Sequence, residues 1–211
     1  MKVSAIVPAY NEAERIAAVL EPLNAAKRVD EIIVVDDGST DDTAQVARRY
    51  KAKVLLLSQN VGKAEALNRG VQLAKHDILL FLDADLVGLR PNHIDLLIET
   101  YLKRRVGMVI GVFRDGRLNT DLAHILAPYL SGQRVLSRSL FNKVRNKEDL
   151  NFGLEIALTK LALKEGLKQK LVTLEGVTHV MKEEKRGFSR GLKDRMKMYC
   201  DMVRSVFTRV S

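Results

Sequence analysis

The chain has 211 residues, enough for one domain with a substantial core. Its single cysteine, Cys200, excludes a disulfide framework and a thiolate metal cluster. No apolar run reaches the ~20 residues that a bilayer span needs, and Met1–Pro8 is too short for a secretory signal, so a cytoplasmic protein is expected.

The formal charge of +9 is uneven. Residues 1–100 hold 12 Lys/Arg against 15 Asp/Glu, and residues 101–211 hold 23 against 11. That asymmetry points to an anionic partner for the second half, with a merely solvating basic surface as the plain alternative.

In chain order, Val3–Val7 reads as a strand ending at Pro8. Asn11 is placed to cap a helix over 12–26, with Glu14 completing a capping box and Ile16, Val19, Leu20 and Leu23 forming one apolar face. Glu31–Val35 is a second strand, followed by Asp36-Asp37-Gly38-Ser39-Thr40 and a helix to about Tyr50. Lys53–Leu57 is a third strand, residues 62–75 a helix, and residues 77–82 a fourth strand. Strands joined by short helical crossovers imply an α/β fold with a mostly parallel, doubly wound sheet.

The second half predicts a helix over 91–104, a strand over 106–113, helices over 119–130 and 131–141, and a charged loop over 142–149. A helix over 154–165 stops near Gly166, and a short strand over 170–174 leads to Gly176-Val177-Thr178-His179. A final helix over 188–210 carries Leu192, Met196, Tyr199, Val203, Phe207 and Val210 on one stripe. That stripe suits packing on the core, a homodimer seam or, with Arg195, Lys197, Arg204 and Arg209 beside it, a peripheral membrane contact.

The fourth strand runs Ile78-Leu79-Leu80-Phe81-Leu82 straight into Asp83-Ala84-Asp85. Unpaired buried carboxylates are costly, so such a strand end needs a cation or hydrogen-bond donors. Ligands of open α/β sheets bind at the carboxyl ends of strands, and Asp-x-Asp there suits a hard divalent ion bridging to phosphate. Capping of the next turn is the alternative. Gly62-Lys63 at a helix start suits a phosphate or a base. Glu155, in the apolar run Phe152–Leu158, is placed to act either as a desolvated general base, with Asp149 as a competing candidate, or as a group that only orients a substrate. Ser131-Gly132-Gln133-Arg134 offers a turn and a guanidinium that suit a phosphate or carboxylate, and Arg186 is a further cation; a solvated surface charge is the plain alternative for either arginine.

Four segments together carry a family resemblance: Val7-Pro8-Ala9-Tyr10-Asn11-Glu12, Val34-Val35-Asp36-Asp37-Gly38-Ser39-Thr40-Asp41, Asn60-Val61-Gly62-Lys63-Ala64-Glu65-Ala66-Leu67-Asn68 and Leu82-Asp83-Ala84-Asp85. In this order, each after a predicted strand, they resemble the GT-A-fold nucleotide-sugar glycosyltransferases of the family 2 type. Ser131–Arg134, Phe152–Leu158 and Val177–Val180 are similar to the branch of glucosyl-3-phosphoglycerate and mannosylglycerate-type synthases.

The resemblance implies a nucleotide-sugar-binding half over 1–115 and an acceptor-binding half over 116–211. Pro8, Tyr10, Glu12 and Asp37 would line the base pocket, and Gly62 and Lys63 would face the base or diphosphate. Asp83 and Ala84 would meet the ribose or a metal-bound water, and Asp85, with His179 and Asp83, would hold Mn²⁺ or Mg²⁺. Imidazole favours Mn²⁺ of the two.

The implied reaction moves a hexose from a UDP-glucose-like donor to a small anionic acceptor such as a phosphoglycerate. The alternatives are a peripheral-membrane transferase acting on a lipid or polyprenyl phosphate, and a non-enzymatic nucleotide- or nucleic-acid-binding module. Few aromatics interleave the basic residues, so nucleic acid is not expected as a partner. The chain has no Trp, unlike the Gln-x-x-Arg-Trp of processive membrane synthases, and its first loop lacks the Gly-rich, Arg-containing pattern of nucleotidyltransferases.

Overall fold

The computed structural model describes residues 1–104, 106–113, 131–145 and 153–179. Four parallel strands form the first half of a seven-stranded sheet: β1 (Val3–Ala9), β2 (Glu31–Asp36), β3 (Lys53–Leu56) and β4 (Ile78–Phe81). The crossovers between them are α1 (Ile16–Ala25), α2 (Thr43–Ala47) and α3 (Lys63–Leu73).

After β4 come β5 (Leu86–Val87), α4 (Pro91–Arg104), β6 (Met108–Phe113), β7 (Arg134–Ser137), α5 (Arg138–Arg145), α6 (Leu154–Lys164), β8 (Gln169–Leu174) and β9 (Thr178–His179). The sheet order is β3-β2-β1-β4-β7-β6-β8. Strand β7 is antiparallel to both β4 and β6, whereas β8 is parallel to β6. Strands β5 and β9 form a separate antiparallel ribbon.

Two-residue alternation sorts the strands into two cores. Val3, Ala5 and Val7 of β1, Ile32 and Val34 of β2, and Ile78 and Leu80 of β4 face α1 and α4. Ile6, Ile33, Val35, Leu79 and Phe81 face α3, α5 and α6. On that second face Phe81 meets Phe141 edge to face at 5.5 Å, the geometry favoured by aromatic quadrupoles. Arg138 at the start of α5 donates to the Ala74 and His76 carbonyls at 2.7 and 2.9 Å, and also to the Val71 carbonyl. It thereby satisfies free acceptors at the end of α3.

The predicted helix over 131–141 is instead a turn, strand β7 and the start of α5. Val135 and Leu136 form a short apolar run whose sequence fits helix or strand. Pairing of Leu79, Leu80 and Phe81 with Leu136, Val135 and Arg134 decides for the strand. The first crossover helix begins at Ile16 because Asn11 adopts φ 54° and turns its side chain to the neighbouring loop rather than capping. The second crossover helix is confined to Thr43–Ala47. The helices predicted over 119–130 and 188–210 lie outside the described residues, as do Asp149 and Arg186.

Candidate active site

The loops following β1 and β2 are stitched together at the carboxyl end of the sheet. Ser39 Oγ accepts the Asn11 N–H at 2.9 Å, and Asn11 Oδ1 accepts the Thr40 N–H at 2.9 Å. Thr43 Oγ1 accepts the Glu12 N–H at 2.8 Å, and Asp41 accepts the Ala13 N–H at 3.1 Å. Gly38 permits close packing of the next loop, since a Cβ there would stand 2.6 Å from the Gln59 carbonyl carbon. Polar side chains thus hold the backbone groups of irregular loops, which would otherwise be buried without partners.

Asp37 sits at the junction of these loops. Its two carboxylate oxygens accept the Val61 and Gly62 N–H groups at 2.8 and 2.9 Å, and the residue is only 3% exposed. It therefore fixes the backbone that launches α3 and places Lys63. Glu12 is also buried and pairs with Arg15 at 2.8 Å. Pro8 lies within β1, opposite Val35. Tyr10 and Val61 remain exposed at 43% and 42%, on loops bound to each other through Ala9 and Asp37.

The centre of the site is the ammonium of Lys63. Its Nζ lies 2.6 Å from Asp83 Oδ1 and 2.8 Å from Glu155 Oε1. Burial pulls the Lys63 pKa down, but the charges of Asp83 and Glu155 outweigh it and hold the ammonium above the ordinary lysine range. The side chain as a whole leaves 41% of its area open. The second Asp83 oxygen accepts from Gln133 Nε2 at 2.8 Å, and Gln133 Oε1 accepts from Ser131 Oγ at 2.8 Å. Gly132 closes over this cluster: a Cβ there would stand 2.6 Å from both Lys63 Nζ and Asp83 Oδ2.

The resemblance implies that Gln133 and Arg134 meet the acceptor. The structure puts Gln133 on Asp83 and Arg134 beneath the site. Arg134, 1% exposed in mid-sheet, donates to the Ser131 carbonyl at 2.7 Å and to Thr159 Oγ1 at 2.9 Å. Burial pushes its pKa down to about 10, opposed by Glu155. Thr159 in turn donates to the Glu155 carbonyl at 2.9 Å. Arg134 thus ties the Ser131–Gln133 turn to the helix that presents Glu155. Thr159 gave no sequence signal, because a threonine at a helical core position reads as packing.

Asp85 follows the buried Ala84 and is half-buried. The β5–β9 ribbon pairs Leu86 with His179, which brings a residue from the far end of the described chain beside the Asp-x-Asp segment. Among the described side chains no three His, Cys, Asp or Glu residues converge as a metal cluster, and the His179 side chain is not among those described. Two carboxylates at the strand end, with a histidine position one register step away, have the donor chemistry of a Mn²⁺ or Mg²⁺ site.

The sequence model of Glycosyl transferase family 2 matches residues 4–169. Glucosyl-3-phosphoglycerate synthase from Mycobacterium tuberculosis, solved with Mn²⁺, UDP and glucosyl-3-phosphoglycerate, superposes with a TM-score of 0.77 and is 27% identical. That match covers 95% of this chain and 80% of the synthase chain. The same synthase with Mn²⁺ and UDP-glucose gives a TM-score of 0.76 at 28% identity, over 95% of this chain and 79% of that one.

The 4,4'-diaponeurosporenoate glycosyltransferase of Staphylococcus aureus (strain USA300) is 38% identical over 101 residues, 46% of this chain and 27% of the relative. The match therefore spans about a quarter of that curated relative's length. The sheet, with its antiparallel β7 insertion, is the GT-A fold of the synthase structures, and the chain belongs to Glycosyl transferase family 2.

Proposed function

We propose that this chain transfers a hexose from a UDP-sugar, UDP-glucose being favoured, to a small anionic acceptor of the phosphoglycerate type. The observation that carries the reading is the position of Lys63. Its ammonium joins Asp83 of the Asp-x-Asp segment to Glu155 of the second half, at the carboxyl end of the parallel strands, where open α/β sheets bind ligands. Likeness to a synthase solved with Mn²⁺ and UDP-glucose supports the donor assignment.

In this reading, residues 1–115 bind the donor and residues 116–211 the acceptor. Pro8, Tyr10, Glu12 and Val61 wall the base, while Asp37 holds the Gly62–Lys63 turn in place. Asp85, His179 and Asp83 hold the divalent ion. When bound, that ion neutralises charge on the departing diphosphate. Lys63 turns from the carboxylates to the diphosphate and adds a further positive charge. The acceptor oxygen then bonds to the anomeric carbon as the bond to the diphosphate oxygen breaks. Glu155, released from Lys63, either takes the acceptor hydroxyl's proton, with Asp149 as the competing base, or orients that hydroxyl while the departing diphosphate oxygen takes the proton.

A lipid-type acceptor is the second reading, favoured by the identity shared with the diaponeurosporenoate glycosyltransferase. No helix among the described residues is long and apolar enough to cross a membrane. The test is transfer of radiolabelled glucose from UDP-glucose, with Mn²⁺, to 3-phosphoglycerate or to polyprenyl phosphate in vesicles. Label in a water-soluble anionic product supports the first reading. Label partitioning only with the vesicles replaces it with the second.

A further inference from the structure

The β5–β9 ribbon has chemistry at one end and a glycine contact at the other. Asp85 immediately precedes β5 and His179 closes β9, with Leu86 opposite His179 and Val87 opposite Thr178. Gly88 follows β5 and adopts φ +77°, a left-handed conformation that side chains strain to enter. A Cβ at this position would overlap the carbonyl oxygen of Gly176 and stand 3.2 Å from its carbonyl carbon.

Both obstacles are backbone atoms, which cannot rotate aside as a side-chain tip can. Val177, the next residue, is buried in the same core cluster as Leu86 and Leu89, so the turn is pinned from beneath. Gly176 lies two residues before Thr178, the first residue of β9, so the contact sits at the base of the strand that carries His179.

We infer that Gly88 is a positioning residue for the metal site, setting the approach of the His179 strand to Asp85 by admitting the Gly176 carbonyl against its bare Cα. The inference rests on the reading above, in which Asp85 and His179 hold the ion. Residues that orient metal ligands without touching the metal carry about 10- to 100-fold in affinity.

The test compares four variants with wild type, reading by calorimetry the Mn²⁺ concentration that half-saturates UDP binding, alongside the melting temperature. Gly166→Ala is the structural control. Gly166 also has a positive φ, +65°, but nothing lies within 4 Å of its Cβ position, and it follows α6 away from the ribbon. Its variant is expected to lose stability and leave the Mn²⁺ requirement unchanged.

Gly88→Ala is expected to raise the requirement about tenfold beyond any change in Gly166→Ala, and His179→Ala to raise it as well. A raised requirement in His179→Ala with Gly88→Ala at the control level overturns the inference while the metal reading stands. An unchanged requirement in His179→Ala, or no UDP binding by wild type, overturns both. If Gly88→Ala does not fold, Gly176→Ala decides. Gly176 has φ +70° with open space at its Cβ position, so its variant strains the same turn without overlap. A rise in its Mn²⁺ requirement above the control supports the inference, and equality with the control overturns it.

Discussion

Lys63 Nζ and Glu155 Oε1 stand 2.8 Å apart, so a lysine at the start of the third crossover helix and a glutamate of the second half share one ion pair. With Asp83 on its other side, Lys63 is the internal counter-ion of two carboxylates. Removing it leaves two like charges facing one another with no cation between them.

Replacing Lys63 by Met is expected to lower kcat/KM by about 100-fold, roughly 2.7 kcal/mol of transition-state stabilisation, and to weaken UDP binding in parallel. Lys63→Arg should recover little of this, because a guanidinium needs more room than the Gly132 backbone leaves over the ammonium. Steady-state kinetics on both variants checks this. Full activity in Lys63→Arg would show that a diffuse positive charge is enough.

Arg134→Met tests the supporting role of the buried guanidinium. It removes hydrogen bonds to Ser131 and Thr159 and is expected to cost about 2–4 kcal/mol of folding stability. At saturating donor, kcat should fall while the acceptor KM changes little, as fits a residue that places Glu155 and Gln133. A rise in acceptor KM alone, with unchanged unfolding, would instead put Arg134 on the acceptor.

Glu31 supplies a pH prediction remote from the site. Burial alone would raise its pKa, but Lys53 at 2.7 Å, the Lys75 N–H at 2.8 Å and the Ser4 hydroxyl at 2.7 Å outweigh it and hold the carboxyl at about 2. A depressed folded-state pKa stabilises above the unfolded value, near 4.5, and the contribution disappears as pH falls toward 2. Urea denaturation should show wild type exceeding Glu31→Gln by about 1–2 kcal/mol at pH 7, since solvent screens the half-exposed Lys53, with the gap closing between pH 4.5 and 2. A gap independent of pH would contradict this.

The parallel half of the fold was legible because each strand combines an apolar run with a turn signal, as in Glu31–Val35 before Asp-Asp-Gly. Asp83, Lys63 and Glu155 were legible as charges at element ends. Their mutual contact was not, since it depends on β7 inserting antiparallel beside β4 and bringing Gly132 and Gln133 over Asp83. That insertion is a long-range pairing, and Val135-Leu136 carries no periodicity that distinguishes strand from helix. Asp37 was read as a pocket residue from its motif. Its two bonds to the backbone at 61 and 62 emerge only when the third loop folds against the second. Gly88 carries no sequence signal, because its partner, Gly176, is distant in sequence.

The most direct test of the central claim is calorimetric titration of UDP into wild type and Asp85→Ala, each with and without Mn²⁺. Wild type is expected to bind UDP at least about tenfold more tightly with Mn²⁺, and Asp85→Ala to lose that gain while melting as wild type does. UDP affinity that ignores Mn²⁺ in wild type, or a metal gain that survives in Asp85→Ala, would contradict a metal-assisted donor site at the end of β4.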